Sequence, residues 1–78
     1  MKLEIGYEFK KNGIIYSVID IIDYNGKSYC FLSEESDLGR IDFHFYEYSI
    51  KEEDIDIKLV SDDELITQLL KALEKERK

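Results

Sequence analysis

The sequence has no proline, no tryptophan, four glycines and a single cysteine among its 78 residues. One cysteine cannot close an internal disulfide, so Cys30 is expected to be a buried apolar residue in a reducing compartment, with a reactive thiol or an intermolecular bridge as alternatives. No run of about 18 apolar residues is present, which argues against a membrane-spanning helix. The opening stretch "MKLEIGYEF" lacks the apolar core of a signal peptide. These absences predict a soluble, cytoplasmic protein.

Groups for metal, cofactor or catalytic chemistry are equally scarce. His44 is the only histidine, whereas a structural zinc site uses about four nitrogen or sulfur ligands, so we expect no metal and no cofactor. The acidic stretches "EESDLGR" and "KEEDID" lack the spacing of a calcium-binding loop. A Cys30–His44 pair is the one nucleophile and base available, and no third group is evident to orient it. The chain also lacks a glycine-rich phosphate loop, and we expect that it is not an enzyme.

The net charge of −7 is concentrated in one part of the chain. Residues 34–64 contain twelve acidic and three basic residues, whereas residues 1–33 are balanced. A phosphate backbone or an anionic membrane would be repelled by such a segment, so we expect no direct nucleic-acid or membrane binding. A basic protein partner is compatible with this charge.

Five segments have the composition and alternation of β-strands, and two Asn-Gly pairs between them predict tight hairpin turns at Asn12-Gly13 and Asn25-Gly26. The predicted strands are 3–9, 14–24, 27–33, 41–50 and 55–60. The second is long for so small a domain, and its apolar residues change face midway. We therefore expect a bend or bulge at Asp20, with Ile19 and Ile21 in a different layer from Ile14 and Val18.

The last segment predicts a helix over residues 62–76, with Ser61 as N-cap and Glu64 completing a capping box. Its apolar side chains recur at helical spacing and form one stripe: Leu65, Ile66, Leu69, Leu70 and Leu73. The expected fold is a single α+β domain, in which a five-stranded, strongly bent antiparallel sheet or small partly open barrel is packed by one C-terminal helix.

The fourth strand, "IDFHFYEYSI", has aromatic side chains on both of its faces. We expect Phe43 and Phe45 in the core because they lack polar atoms. Tyr46 and Tyr48 carry hydroxyl groups that prefer water or a partner, and we expect them in an exposed aromatic patch beside the acidic residues.

Three stretches, "IGYEFKKNGIIYSVIDIIDYNGKSYCFLS", "FYEYS" and "LVSDDELITQLLKAL", resemble a set of small bacterial and phage β-meander proteins with a C-terminal helix. The shared pattern is a Gly-x-x-Phe opening, a Gly-x-x-Tyr-x-Val-Ile-Asp second strand and an aromatic-Tyr-Glu fourth strand. In size and charge the chain is also similar to phage-encoded anti-CRISPR inhibitors. That second resemblance implies an acidic protein that occupies the nucleic-acid groove of a host protein. Neither resemblance assigns a role to a particular residue.

These observations favour a protein-interaction module whose acidic surface binds a basic partner, in its sharpest form as a nucleic-acid mimic that inhibits a nucleic-acid-binding host protein. The alternative is a small structural or self-associating protein without catalytic activity, for example a homodimer paired through an aromatic edge strand. The residues predicted to bind the partner are Glu34, Glu35, Asp37, Tyr46, Tyr48, Glu52, Glu53, Asp54 and Asp56.

Overall fold

A computed structural model describes residues 3–76 of the chain. Five β-strands are followed by one α-helix. Their bounds are β1 (Glu8–Lys11), β2 (Ile14–Tyr24), β3 (Lys27–Glu35), β4 (Ile41–Lys51), β5 (Asp54–Leu59) and α1 (Asp63–Glu76).

The five strands form one antiparallel sheet in the order β1-β2-β3-β4-β5. The sheet curls through 246° into a half-barrel, and α1 packs on its convex face. The predicted α+β fold, a strongly bent sheet with one C-terminal helix, is therefore confirmed. No helix within residues 3–76 is long and apolar enough to cross a membrane.

The two Asn-Gly pairs form the predicted tight turns between β1 and β2 and between β2 and β3. Asn12 and Gly13 have φ angles of 54° and 79°, and Asn25 and Gly26 have 52° and 76°. Two successive positive φ angles define a type I′ turn, which matches the twist of the strands on either side.

The first strand begins later than the predicted range 3–9. Gly6 has a φ of 90°, and the Tyr7 amide donates to the Glu4 carbonyl over 3.1 Å, so the chain turns before it enters β1 at Glu8. Leu3, which precedes this turn, is buried in the concave core. Alternation of apolar and polar residues over 3–9 resembled a strand, but the positive φ of glycine allowed a turn in its place.

The predicted irregularity in β2 is present between Val18 and Asp20, where the pairing with β3 shifts by one residue. Its consequence differs from our expectation. Val18 and Ile21 lie in the same concave layer, because the extra residue Ile19 shifts the alternation of inward and outward side chains by one position. Ile22 is the residue that turns to the helix layer.

Two apolar clusters lie on opposite faces of the curled sheet. The concave cluster is made of Leu3, Tyr16, Val18, Cys30, Leu32, Tyr46 and Ile55. The convex cluster joins the sheet to α1 and is made of Ile22, Tyr29, Phe45, Leu69 and Leu73. This division explains why β2 and β4 carry apolar side chains on both faces.

The faces of β4 are used differently from our expectation. Phe45 is buried beneath α1, but Phe43 is 54% exposed because the helix does not reach it. Tyr46 lies in the concave core and is only 8% exposed, and Tyr48 is half-buried against the same cluster. The exposed tyrosine patch was therefore a wrong expectation.

The helix begins at Asp63, one residue later than predicted, and its N-cap is Asp62 rather than Ser61. The Asp62 carboxylate accepts hydrogen bonds from the amides of Glu64 and Leu65 over 3.0 and 3.5 Å. Four residues of the predicted stripe face the sheet, whereas Leu70 is 46% exposed.

Candidate protein-interaction site

The half-barrel is open between its first and last strands, and we call this space the strand gap. It contains a cavity of about 360 Å³, which falls within the range of small-ligand pockets, about 300–1,000 Å³. Its lining residues are Tyr7, Phe9, Lys10, Lys11, Glu53, Asp54 and Ile55. On one side of the strand gap lie two lysines from β1, and on the other lie Glu53 in the β4–β5 turn and Asp54 at the start of β5.

Two side chains cap the backbone of Ile55, which faces the strand gap. The Lys11 ammonium donates a hydrogen bond to the Ile55 carbonyl oxygen over 2.8 Å. The Asp54 carboxylate accepts one from the Ile55 amide over 2.9 Å. Both backbone groups of this edge residue are therefore satisfied without a neighbouring strand.

Four of the predicted partner-binding residues lie around one end of the strand gap. Glu52 and Glu53 form the turn between β4 and β5, and Asp54 and Asp56 follow on β5; all four are exposed. We call them the acidic group. Asp56 has one basic neighbour, Lys51, at 3.9 Å, an exposed pair that contributes little to stability.

The backbone of Glu52 has a φ of 56°, a conformation that glycine or asparagine adopts more easily. For a residue with a Cβ atom this conformation costs about 1–2 kcal/mol. A strained, charged residue at the tip of an exposed turn supports a functional hypothesis for the acidic group.

The remaining predicted acids lie at the other end of β4. Glu35 ends β3 and Asp37 is in the loop before β4, whereas the acidic group begins where β4 ends. The eleven residues of β4 correspond to about 36 Å of extended chain at ~3.3 Å per residue. The acids that are close in sequence therefore form two separate groups.

Glu34 is not a free surface acid. Its carboxylate is 2.5 Å from His44 Nδ1, and only 14% of its side chain is exposed. Burial, followed by the nearby Glu34 carboxylate, raises the pKa values of Tyr46 and Tyr16. The Tyr16 and Tyr46 rings meet edge to face, with centroids 6.0 Å apart. These four side chains form a polar cluster at one end of the concave face.

The tyrosines predicted as anchors are consequently enclosed. Burial, followed by the Asp23 carboxylate, also raises the pKa of Tyr48. As Tyr46 is buried and Tyr48 half-buried, they support the concave core rather than an exposed contact surface.

An exposed apolar surface that the sequence analysis missed lies on the convex face. We call it the convex patch, and it consists of Ile15, Ile41 and Phe43, which are 42%, 55% and 54% exposed. Phe43 stacks on Phe31 with ring centroids 6.0 Å apart. A length comparison could have indicated this patch, because a 14-residue helix spans about 21 Å and cannot cover all of β4.

The residues considered for catalysis or metal binding do not form a site in the strand gap or on the convex patch. Cys30 is buried as predicted, and burial raises the pKa of its thiol to about 12, which disfavours the reactive thiolate. Among residues 3–76, no three histidine, cysteine or acidic side chains are grouped to hold a metal ion.

Comparison of the chain with protein-family models, with curated proteins and with solved structures yields no significant match.

Proposed function

We propose that the protein is a non-catalytic, cytoplasmic protein-interaction module whose acidic group binds a basic protein partner. The observation that carries this proposal is the position of the acidic group, which is exposed and lies beside an open cavity. The net charge of −7 adds a long-range attraction for a basic partner, which accelerates association.

In its sharper form, the proposal identifies the partner as a nucleic-acid-binding protein whose basic groove accepts carboxylates in place of phosphates. The acidic composition and the resemblance in size and charge to anti-CRISPR inhibitors support this form. A competition experiment distinguishes this form from the general one. DNA or RNA should displace the protein from a nucleic-acid-binding partner, but not from a basic protein that binds no nucleic acid.

The test uses a charge-reversed variant that preserves the fold. Glu52, Glu53 and Asp56 are each changed to lysine, while Asp54 is kept because it caps the Ile55 amide. Host proteins captured by the parent are identified, and their association rates are measured at low and high salt. We expect the variant to associate at least about tenfold more slowly, with a weaker salt dependence.

The matched control reverses Glu35, Asp37 and Glu74, which changes the net charge equally but leaves the acidic group intact. These exposed substitutions should change folding stability little. The control should retain most of the parent's association rate. If the association rate falls equally in both variants, net charge rather than the acidic group accelerates association. If the parent captures no basic protein, the proposal is wrong.

The convex patch favours a second candidate function, self-association. Exposed apolar side chains on one face are typical of interaction surfaces, and Ile41 and Phe43 are such neighbours on β4. In addition, β5 pairs only with the second half of β4, which leaves the β4 edge near these two residues open. Sedimentation equilibrium would then report a dimer that Phe43→Lys converts to a monomer. Leu38→Lys is the control, since Leu38 is 95% exposed in the β3–β4 loop. A parent that is monomeric at all concentrations would exclude this candidate.

A further inference from the structure

We propose that the strand gap is a binding site for an extended peptide segment, which adds as a sixth strand between β1 and β5. The inferred charge of this segment rests on the proposed function, whereas the inferred strand addition rests on the geometry of the sheet.

The topology determines the direction in which a strand added between β1 and β5 would have to run. Four consecutive antiparallel pairings make β1 and β5 run parallel to each other. They cannot close the barrel by pairing in the antiparallel manner of the rest of the sheet. One additional strand running the opposite way would be antiparallel to both and would make the number of strands even.

The curvature of the sheet leaves room for one strand. Four steps between neighbouring strands cover 246°, so each step is about 60°, the value for a closed six-stranded barrel. The open arc of about 114° corresponds to two such steps, which is the space for one strand and its two pairings.

The edge of β5 presents backbone groups to this space. The Val60 amide donates to the Phe45 carbonyl, which sets the alternation of hydrogen bonds between β4 and β5. By that alternation, the amides and carbonyls of Ile55, Ile57 and Leu59 point away from β4 and toward the strand gap. Within residues 3–76, hydrogen bonds on this side are made only by Ile55, through Lys11 and Asp54.

The caps on Ile55 reproduce the two hydrogen bonds that one residue of an added strand would make. Lys11 acts as the donor and Asp54 as the acceptor. Asp54 is exposed and Lys11 is half-buried, and both act through side chains that can rotate away, so an incoming strand can replace them. In the free protein they protect the edge against indiscriminate pairing, a common device on exposed strands.

The two faces of the strand gap define the chemistry of the segment. Phe9 and Ile55 line its inner side, so the inward positions of the segment should be apolar. Its outward positions would face the convex side of β1 and β5 and the turn beside them. Five acidic and two basic residues lie there: Glu8, Lys10, Glu52, Glu53, Asp54, Asp56 and Lys58. The favoured segment therefore alternates apolar and basic residues.

The test uses three capped synthetic heptapeptides as probes. KVKVKVK has the favoured alternation, KKVVVKK has the same composition without alternation, and EVEVEVE keeps the alternation but reverses the charge. Binding to the full chain is measured by calorimetry, and amide hydrogen exchange is followed by NMR. We expect only KVKVKVK to bind strongly, and to slow exchange of the outward amides of Lys10, Ile57 and Leu59 by about tenfold or more.

Lys11→Met provides a second, independent readout. The methionine keeps the apolar stem but removes the donor to Ile55, so an incoming strand no longer has to displace it. This variant should bind KVKVKVK about two- to tenfold more tightly, the factor expected for one hydrogen bond. Lys10→Met is the control for the lost positive charge, because Lys10 lies on the opposite face of β1 and does not donate to Ile55. Lys11→Met should therefore tighten binding more than Lys10→Met does, and equal effects would overturn the role of the Lys11 cap.

The outcomes separate the binding mode from the proposed function. Edge protection by KVKVKVK and EVEVEVE alike would support strand addition and contradict the preference for a basic partner. Binding of both lysine peptides without edge protection would support the acidic group as a basic-partner site and overturn strand addition. Absence of binding by all three peptides would also overturn strand addition.

Discussion

Lys11 donates a hydrogen bond to the backbone carbonyl of Ile55 over 2.8 Å, although the two residues are 44 positions apart in the chain. This bond joins the first strand of the sheet to the last across the open side of the half-barrel. A side chain therefore makes this long-range contact, whereas in a closed barrel backbone hydrogen bonds between paired strands would join the two edges.

Lys11→Met should lower the free energy of unfolding by about 0.5–1.5 kcal/mol, because it removes this hydrogen bond and leaves the Ile55 carbonyl without its described donor. Urea denaturation measures the change. Lys10→Met is exposed and should change stability by no more than about 0.5 kcal/mol. Equal effects of the two substitutions would show that Lys11 does not hold the strands together.

Leu69→Ala should destabilise the protein by about 2–5 kcal/mol, because Leu69 is fully buried between α1 and the convex face and its truncation leaves a cavity. Leu70→Ala removes the same atoms from a side chain that is 46% exposed, so its cost should be much smaller. The two melting temperatures give the comparison. A Leu69→Ala protein that melts with the parent would mean that the helix does not pack on the sheet.

Glu52→Gly should stabilise the fold by up to about 1 kcal/mol. Glycine adopts the φ of 56° without strain, and this gain exceeds the added entropy of the unfolded chain. Glu53→Gly is the matched control: Glu53 does not have a positive φ, so glycine there should destabilise. Stability changes of the same sign for both variants would argue against strain at Glu52.

Stability should fall in alkaline solution, in part because of Cys30. Burial raises the pKa of its thiol to about 12 from an ordinary value of 9.0. The stabilising contribution is fully present below pH 9 and is lost as the pH rises toward 12, because the unfolded thiol ionises first. Denaturation across this range should show a shallower decline in Cys30→Ala than in the parent.

The decline should not vanish in Cys30→Ala. Tyr16, Tyr46 and Tyr48 also have raised pKa values in the folded protein, so they act in the same direction. An unchanged slope in the variant would indicate that Cys30 ionises with equal ease in the folded and unfolded chains.

Local rules sufficed for several elements of the fold. The Asn-Gly pairs at 12–13 and 25–26 tolerate positive φ angles, so the turns follow from the residues themselves. The helix follows from its apolar period, and the irregularity near Asp20 from a change in apolar alternation within one strand. The acidic composition of residues 34–64 was also evident, and with it the hypothesis of a basic partner.

The candidate site depends on contacts between residues that are far apart in the chain, and patterns within one segment do not predict such contacts. Alternation showed that Phe43 and Tyr46 lie on opposite faces of β4, but both faces were aromatic. The reach of the helix and the polar cluster around Glu34 decided which residue was covered. Similarly, acids that are close in sequence were separated because β4 places its two ends far apart.

The sequence by itself determined the antiparallel hairpins, the amphipathic helix and the excess of negative charge, because these properties depend on residues near one another in the chain. Only the tertiary structure decided that Lys11 contacts Ile55, that the Glu34 carboxylate pairs with His44 and that the convex patch stays uncovered. The physical reason is that curvature, accumulated over five strands, brings distant residues together, and no local pattern specifies how far a sheet will curl.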